Sequence, residues 1–202
     1  MTAPPIGALL AGGRGKRIGG DKAVVEVLGR PLIAYPLEVL LEVLEEVVVV
    51  VKPDTVLPRL DGLAGIWKEP ESPPHPLAGI VHALRMAKGR SVLACGADMP
   101  LVTPAVVAQL AGTDPGEAPA VVPRCDGRLQ PLLALYTPLA LAGLAEYAPD
   151  AAATDVVEAL GPCVVDVDDE EAFFNVNGPE DVLDASARLD ARRRAATPPA
   201  GG

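Results

Sequence analysis

The segment Gly12-Gly13-Arg14-Gly15-Lys16-Arg17-Ile18-Gly19-Gly20-Asp21-Lys22 concentrates the groups that hold an anion. Glycines let backbone N–H groups come close to a ligand oxygen. Four cations, Arg14, Lys16, Arg17 and Lys22, fall within nine residues, opposed only by Asp21. Phosphate binding is the chemistry this composition fits. The competing reading is a solvated glycine-rich turn. The segment is not the Walker pattern, because Lys16 is followed by Arg17 and position 10 is Leu. It is not the dinucleotide fingerprint either, because position 18 is Ile.

A loop of this kind needs a strand before it and an open sheet edge beside it. Ile6 to Ala11 reads as that strand. Val24 to Leu28 alternates as a short strand, and Ile33, Leu37, Leu40, Leu41 and Leu44 recur with helical spacing. Pro31 suits the start of that helix, and Pro36 shifts the start or kinks the helix. Val47 to Val51 is a β-branched run, as in a parallel strand buried on both faces. Ile66-Trp67 marks another strand, Ala78 to Ala87 a helix and Ser91 to Cys95 a strand ending at Gly96-Ala97-Asp98. Thr103-Pro104 and Thr137-Pro138 each pair a capping residue with a first-turn proline, before helices to Leu110 and about Tyr147. Ala120 to Val122 and Leu132 to Tyr136 are strands around a polar turn. Val156 to Leu160 is helical, Cys163 to Val167 a strand, and Gly178-Pro179-Glu180-Asp181 opens a last helix with acids at its positive end.

This alternation predicts an α/β fold, mostly parallel, with helices on both faces. It is read as a single domain over 1–194, with 195–202 a disordered tail. Ligands in such folds bind beyond the carboxyl ends of the strands. The loops to watch are therefore 12–22, 52–54, 69–77, 96–102 and 168–177.

Composition closes off other classes. The chain has 202 residues, 50% apolar and 22% charged, a globular balance. The net charge of −10 argues against nucleic acid, whose phosphates demand a basic face. With one Trp, three Tyr and two Phe there is no base-stacking platform. No apolar run approaches the roughly 18 residues of a membrane span. The N-terminus lacks the basic stretch of a secretory signal. Cys95, Cys125 and Cys163 have no metal or redox spacing, and read as reduced thiols of a cytoplasmic protein.

Leu10-Ala11-Gly12-Gly13-x-Gly15-x-Arg17-x-Gly19-Gly20-Asp21-Lys22 resembles the signature of the molybdenum cofactor guanylyltransferase family. Pro76-Leu77-Ala78-Gly79 resembles its Gly-Pro-Leu-Ala-Gly segment, with His75 in place of the usual glycine. Asp98-Met99-Pro100 resembles its Asp-x-Pro, and Gln130-Pro131-Leu132 its Gln/His-Pro strand. Phe174-Asn175-Val176-Asn177, then Pro179-Glu180-Asp181, resembles its closing Asn-x-Asn-Thr-Pro-Glu-Asp, with Gly178 for Thr. Order and spacing agree from about residue 6 to 190. Ala151-Ala152-Ala153-Thr154 departs from the usual pattern.

The resemblance implies a Rossmann-like three-layer α/β/α fold of the nucleotide-diphospho-sugar transferase type. The activity implied is Mg²⁺-dependent transfer of GMP from GTP to molybdenum-molybdopterin, with release of pyrophosphate. Gly12-Gly13 favours the guanylyl over the cytidylyl branch. Leu10, Ala11, Gly12, Gly13, Gly15, Lys22, Glu69 and Asp98 are then nucleotide contacts. Arg17, Lys22 and Asp98 carry catalysis, with Asp98 on Mg²⁺, while Gln130, Asn175 and Asn177 bind the acceptor. Partner proteins implied are molybdenum-cofactor delivery proteins or molybdoenzymes.

Each residue keeps a plainer alternative. Asp98 starts a turn or caps the next helix. Glu69 is equally a solvated loop carboxylate. Asn175 and Asn177 shape the turn before the last helix, and Gln130 finishes its own turn. His75 is a loop residue without catalytic duty, His82 lies on a helix face, and Arg192-Arg193-Arg194 is a solvated helix end. The rival functions are another nucleotidyl transfer on the same fold and a non-catalytic nucleotide-binding domain. A dinucleotide oxidoreductase is disfavoured by the missing fingerprint.

Overall fold

The computed structural model describes residues 3–12, 14–15, 20–21, 24–60, 62–70, 75–148 and 150–196. The elements run β1 (Ile6–Leu10), β2 (Arg14–Gly15), β3 (Gly20–Asp21), β4 (Glu26–Val27), β5 (Arg30–Pro31), α1 (Ala34–Val43), β6 (Val47–Val51) and β7 (Gly65–Lys68). They continue with α2 (Ala78–Met86), β8 (Val92–Gly96), α3 (Pro104–Gly112), β9 (Ala120–Cys125), β10 (Arg128–Leu129) and β11 (Leu133–Tyr136). Last come α4 (Ala140–Leu144), α5 (Ala153–Ala159), β12 (Cys163–Asp166), a 3-10 turn at Glu170–Phe173 and α6 (Pro179–Ala196).

Among the described residues the main sheet has the order β10-β9-β11-β8-β1-β6-β7, with β12 beside β9. β7, β6, β1 and β8 are parallel neighbours. β11 runs against both β8 and β9, and β12 runs parallel to β9. The expected mostly parallel sheet is thus present, with two reversed strands, β10 and β11. The reversal is made by the hairpin at Asp126 and Gly127, whose φ of 47° and 70° fit a two-residue turn that follows strand twist.

Period-two alternation divides the strand side chains between two faces. Leu9, Val47, Val49, Val51, Leu93 and Cys95 pack under α1 and α3. Ile6, Ala8, Val48, Val50, Val92 and Ala94 pack under α2 and α4. All five residues of Val47–Val51 are buried, as a strand covered on both sides requires, and each buried valine contributes roughly 1.5–3 kcal/mol. This is the three-layer α/β/α arrangement. A third, smaller core joins Val27, Leu32 and Tyr35 to Val176 and Ala185.

Several local expectations change. Pro31 lies in the β4–β5 hairpin, not at the start of α1. Pro36 is the third residue of α1, where no intrahelical N–H partner is needed, so it neither shifts nor kinks the helix. The Thr103 hydroxyl donates to Asp169 Oδ2 at 3.2 Å instead of capping α3. The Thr137 hydroxyl donates to the Pro119 carbonyl at 3.1 Å, and α4 ends at Leu144 rather than Tyr147. Arg192 is not a solvated end: its guanidinium donates to Glu171 Oε2 at 2.8 Å and to the Leu101 carbonyl at 2.7 Å. α6 runs to Ala196, into the region expected to be tail. No helix among the described residues is long and apolar enough to cross a membrane.

Candidate active site

The parallel register brings β1 and β8 to a common end, with Leu10 opposite Gly96. The Ala97 amide donates to the Leu10 carbonyl at 3.1 Å, so the start of the glycine loop and the Asp98 turn are adjacent. On the other side the Ala11 amide donates to the Val50 carbonyl at 2.8 Å, and the Glu69 amide to the Val51 carbonyl at 2.8 Å. Leu10, Ala11, Gly12, Glu69 and Asp98 therefore gather at one sheet edge. Of the loop itself, Arg14 and Gly15 pair antiparallel with Asp21 and Gly20. Gly13, Arg17 and Lys22 lie outside the described residues.

Gly12 sits directly on Glu69. A Cβ at Gly12 would stand 2.5 Å from Glu69 Oε1 and 3.1 Å from Lys52 Cγ. Any larger residue at 12 would require the Glu69 side chain to shift. Glu69 is 4% exposed, which overturns its reading as a solvated carboxylate. Lys52 Nζ is 3.8 Å from Oε1. Glu69 Oε2 is buried with no hydrogen-bond partner among the described residues. Burial pushes the Glu69 carboxyl above its ordinary pKa, and the Lys52 ammonium partly opposes that rise. A buried acceptor without a donor is costly, so Oε2 is the atom here most in need of a ligand. Sequence reasoning missed Lys52. Its signal was available: it directly follows the five-valine strand, in one of the strand-end loops.

Across the site, Asp98 is half-buried, and its carbonyl accepts the Val176 amide at 2.8 Å. Gly96 gives its carboxylate room, since a Cβ there would be 2.7 Å from Asp98 Oδ1. Cys95, fully buried, has its thiol pKa pushed far up by burial and further by Asp98, so it stays neutral. The Val176–Asp98 bond lays segment 175–177 alongside Asp98. Asn175 Nδ2 donates to the Phe173 carbonyl at 2.9 Å, and the Asn177 and Gly178 amides donate to Asp181 Oδ2 at 2.7 and 2.8 Å. The turn-shaping role of Asn175 is thus present. Gln130 is half-buried, and its carbonyl accepts the Leu133 amide at 3.2 Å, which finishes its turn. β11 begins at Leu133 opposite Cys95, so Gln130 also lies beyond the carboxyl end of β8.

Among the described residues no three His, Cys, Asp or Glu side chains gather into a metal set. Asp98 alone fits Mg²⁺, which keeps several waters and is held by one or two carboxylates plus substrate phosphates. Such an ion would come with its nucleotide, not sit in a protein cage.

The comparisons with known proteins bear on the family and the fold. The molybdenum cofactor guanylyltransferase of Cereibacter sphaeroides is 34% identical over 193 residues, which cover 91% of this chain and 96% of that protein. The crystal structure of molybdopterin-guanine dinucleotide biosynthesis protein A from Archaeoglobus fulgidus superimposes with a TM-score of 0.69 at 27% identity, covering 92% of this chain and 99% of that one. The 2-C-methyl-D-erythritol 4-phosphate cytidylyltransferase of Thermus thermophilus, at TM-score 0.66 and 22% identity, covers 92% of this chain and 99% of its own and shares the fold. The model of the MobA-like NTP transferase domain matches residues 7–164, from the first strand to the middle of β12, and this chain belongs to that nucleotidyltransferase family.

Proposed function

We propose that the protein transfers GMP from GTP to molybdenum-molybdopterin in the cytoplasm and releases pyrophosphate. The observation that carries this reading is the adjacency of Gly12 and Asp98 at the Leu10–Gly96 register, with a Glu69 oxygen beside Gly12 that has no hydrogen-bond partner among the described residues. The guanylyltransferase and the molybdopterin-guanine dinucleotide biosynthesis protein that this chain resembles supply the base and the acceptor.

The reaction needs no protein nucleophile. A phosphate oxygen of the acceptor attacks the α-phosphorus in line, and pyrophosphate leaves. The protein's task is to hold two anions together and offset the charge of the transition state. Arg17 and Lys22 neutralise triphosphate oxygens, and the amides of Gly12, Gly13 and Gly15 hold the others. Leu10 and Ala11 set the height of that loop. Glu69 repels phosphate, so its partner on the nucleotide is an N–H or O–H of base or ribose. Gln130, Asn175 and Asn177 orient the acceptor, and Asp98 would hold Mg²⁺. When bound, Mg²⁺ would supply positive charge that offsets the negative charge of the triphosphate. No general base is required, because the acceptor phosphate is already ionised. The product passes to molybdenum-cofactor delivery proteins or molybdoenzymes.

The test is pyrophosphate release from each nucleoside triphosphate with Mg²⁺, with and without molybdenum-loaded molybdopterin. Release is expected only with GTP and acceptor together. Release with CTP instead moves the protein to the cytidylyl branch. No release with any triphosphate leaves a nucleotide-binding domain without this activity.

A further inference from the structure

We infer that His75 is a positioning residue for the nucleotide site, a latch between the first turn of α2 and the α4–α5 connection. The inference rests on the nucleotide-binding reading above.

The ring is held on three sides. Its Nδ1 accepts the Leu77 amide at 3.1 Å. The ring proton must then be on Nε2, which lies 3.0 Å from the Ala151 carbonyl and donates to it. The plane of the ring stacks on Tyr147, with centroids 4.0 Å apart and 30° between planes. The His75 carbonyl accepts the Ala78 amide at 3.1 Å as well, so one residue serves two amides of the incoming helix.

What the latch braces is the nucleotide edge. Four residues past His75, the Gly79 backbone packs on β1, where a Cβ would be 3.2 Å from Leu10 Cδ2. At the other end of the same loop stands Glu69. Tyr147 is close enough to that carboxylate that its charge, after burial, raises the tyrosine pKa. The His75 ring thus ties the entrance of α2 to residue 151.

Asparagine separates this role from simple helix capping. In His75→Asn the short side chain still accepts from the amide two residues on, but it does not reach Ala151. A latch predicts that His75→Asn melts near wild type, while its KM and calorimetric Kd for GTP rise roughly tenfold and kcat changes little. His75→Gly should show the same rise together with a lower Tm. Amide exchange at residues 150–153 should quicken in both variants. Wild-type GTP affinity and exchange in His75→Asn would overturn the inference and leave only a cap. Failure of the wild type to bind any triphosphate would instead overturn the function proposed above, and this inference with it.

Discussion

At the ends of β6 and β7, side chains set the geometry: Glu69 lies under Gly12, faces Lys52 at 3.8 Å and keeps one oxygen without a hydrogen-bond partner among the described residues. At the end of β8, the main chain sets it. Asp98 is tied to Val176 through backbone atoms, and segment 175–178 is held by bonds to Phe173 and Asp181. The first arrangement is energetically incomplete without a donor from outside. The second is held by bonds within the chain. Ligand binding should therefore stabilise the nucleotide side more than the Asp98 side, and substitutions should separate the two.

The largest effect is expected for Asp98→Asn. Its carbonyl bond to Val176 survives, so Tm should stay near wild type, while Mg²⁺-dependent turnover falls by roughly 100-fold or more. Turnover close to wild type at limiting Mg²⁺ would remove Asp98 from the chemistry. Next is Gly12→Ala, whose Cβ cannot coexist with Glu69 Oε1 at 2.5 Å. Displacing the loop should weaken GTP binding by about tenfold to 100-fold by calorimetry. Unchanged affinity would mean that Glu69 swings away freely.

Glu69→Gln should weaken GTP binding by about tenfold while making the free protein more stable at neutral pH. The sign follows from the raised pKa of the buried carboxyl. Such a group adds stability below its unfolded pKa and loses it as pH rises through the folded value. The gain in Tm from glutamine should therefore be small below about pH 4.5, the ordinary value, and grow above it. A gain that is constant with pH would show that the carboxylate is not the cause. The smallest effect is expected for Tyr35→Phe, which removes the hydroxyl bond to the Val27 carbonyl at 2.6 Å. It should cost about 1 kcal/mol by denaturant melting and leave turnover within twofold. A larger loss of turnover would extend the ligand-dependent region into the third core.

The central strands β1, β6 and β8 were legible because they are hydrophobic on both faces, and Val47–Val51 admits little else. Gly12 was legible because a glycine after a strand marks close approach. Glu69 was marked as a nucleotide contact by resemblance, but its burial was not legible, because it is covered by Lys52 and Gly12 from other strand ends. Thr103 and Thr137 carried a sound capping signal, but nearer acceptors won: Asp169 for one and the Pro119 carbonyl for the other. Arg192 looked like part of a solvated basic run because its partners, Glu171 and Leu101, are distant in sequence. The third core was invisible for the same reason, since it is assembled from 25–35 and 174–189.

That third core ties the two ends of the chain into one mechanical unit. Val25, Val27, Leu32 and Tyr35 lead out of the glycine loop, and their cover is Val182, Ala185 and Leu189 of the last helix. A protease nick or a stop codon just before Val182 would strip that cover and leave the exit of the glycine loop unanchored. The injury would then be felt some 150 residues upstream of the cut. Affinity handles and fusion partners for this protein are better placed after the last helix than grafted into it.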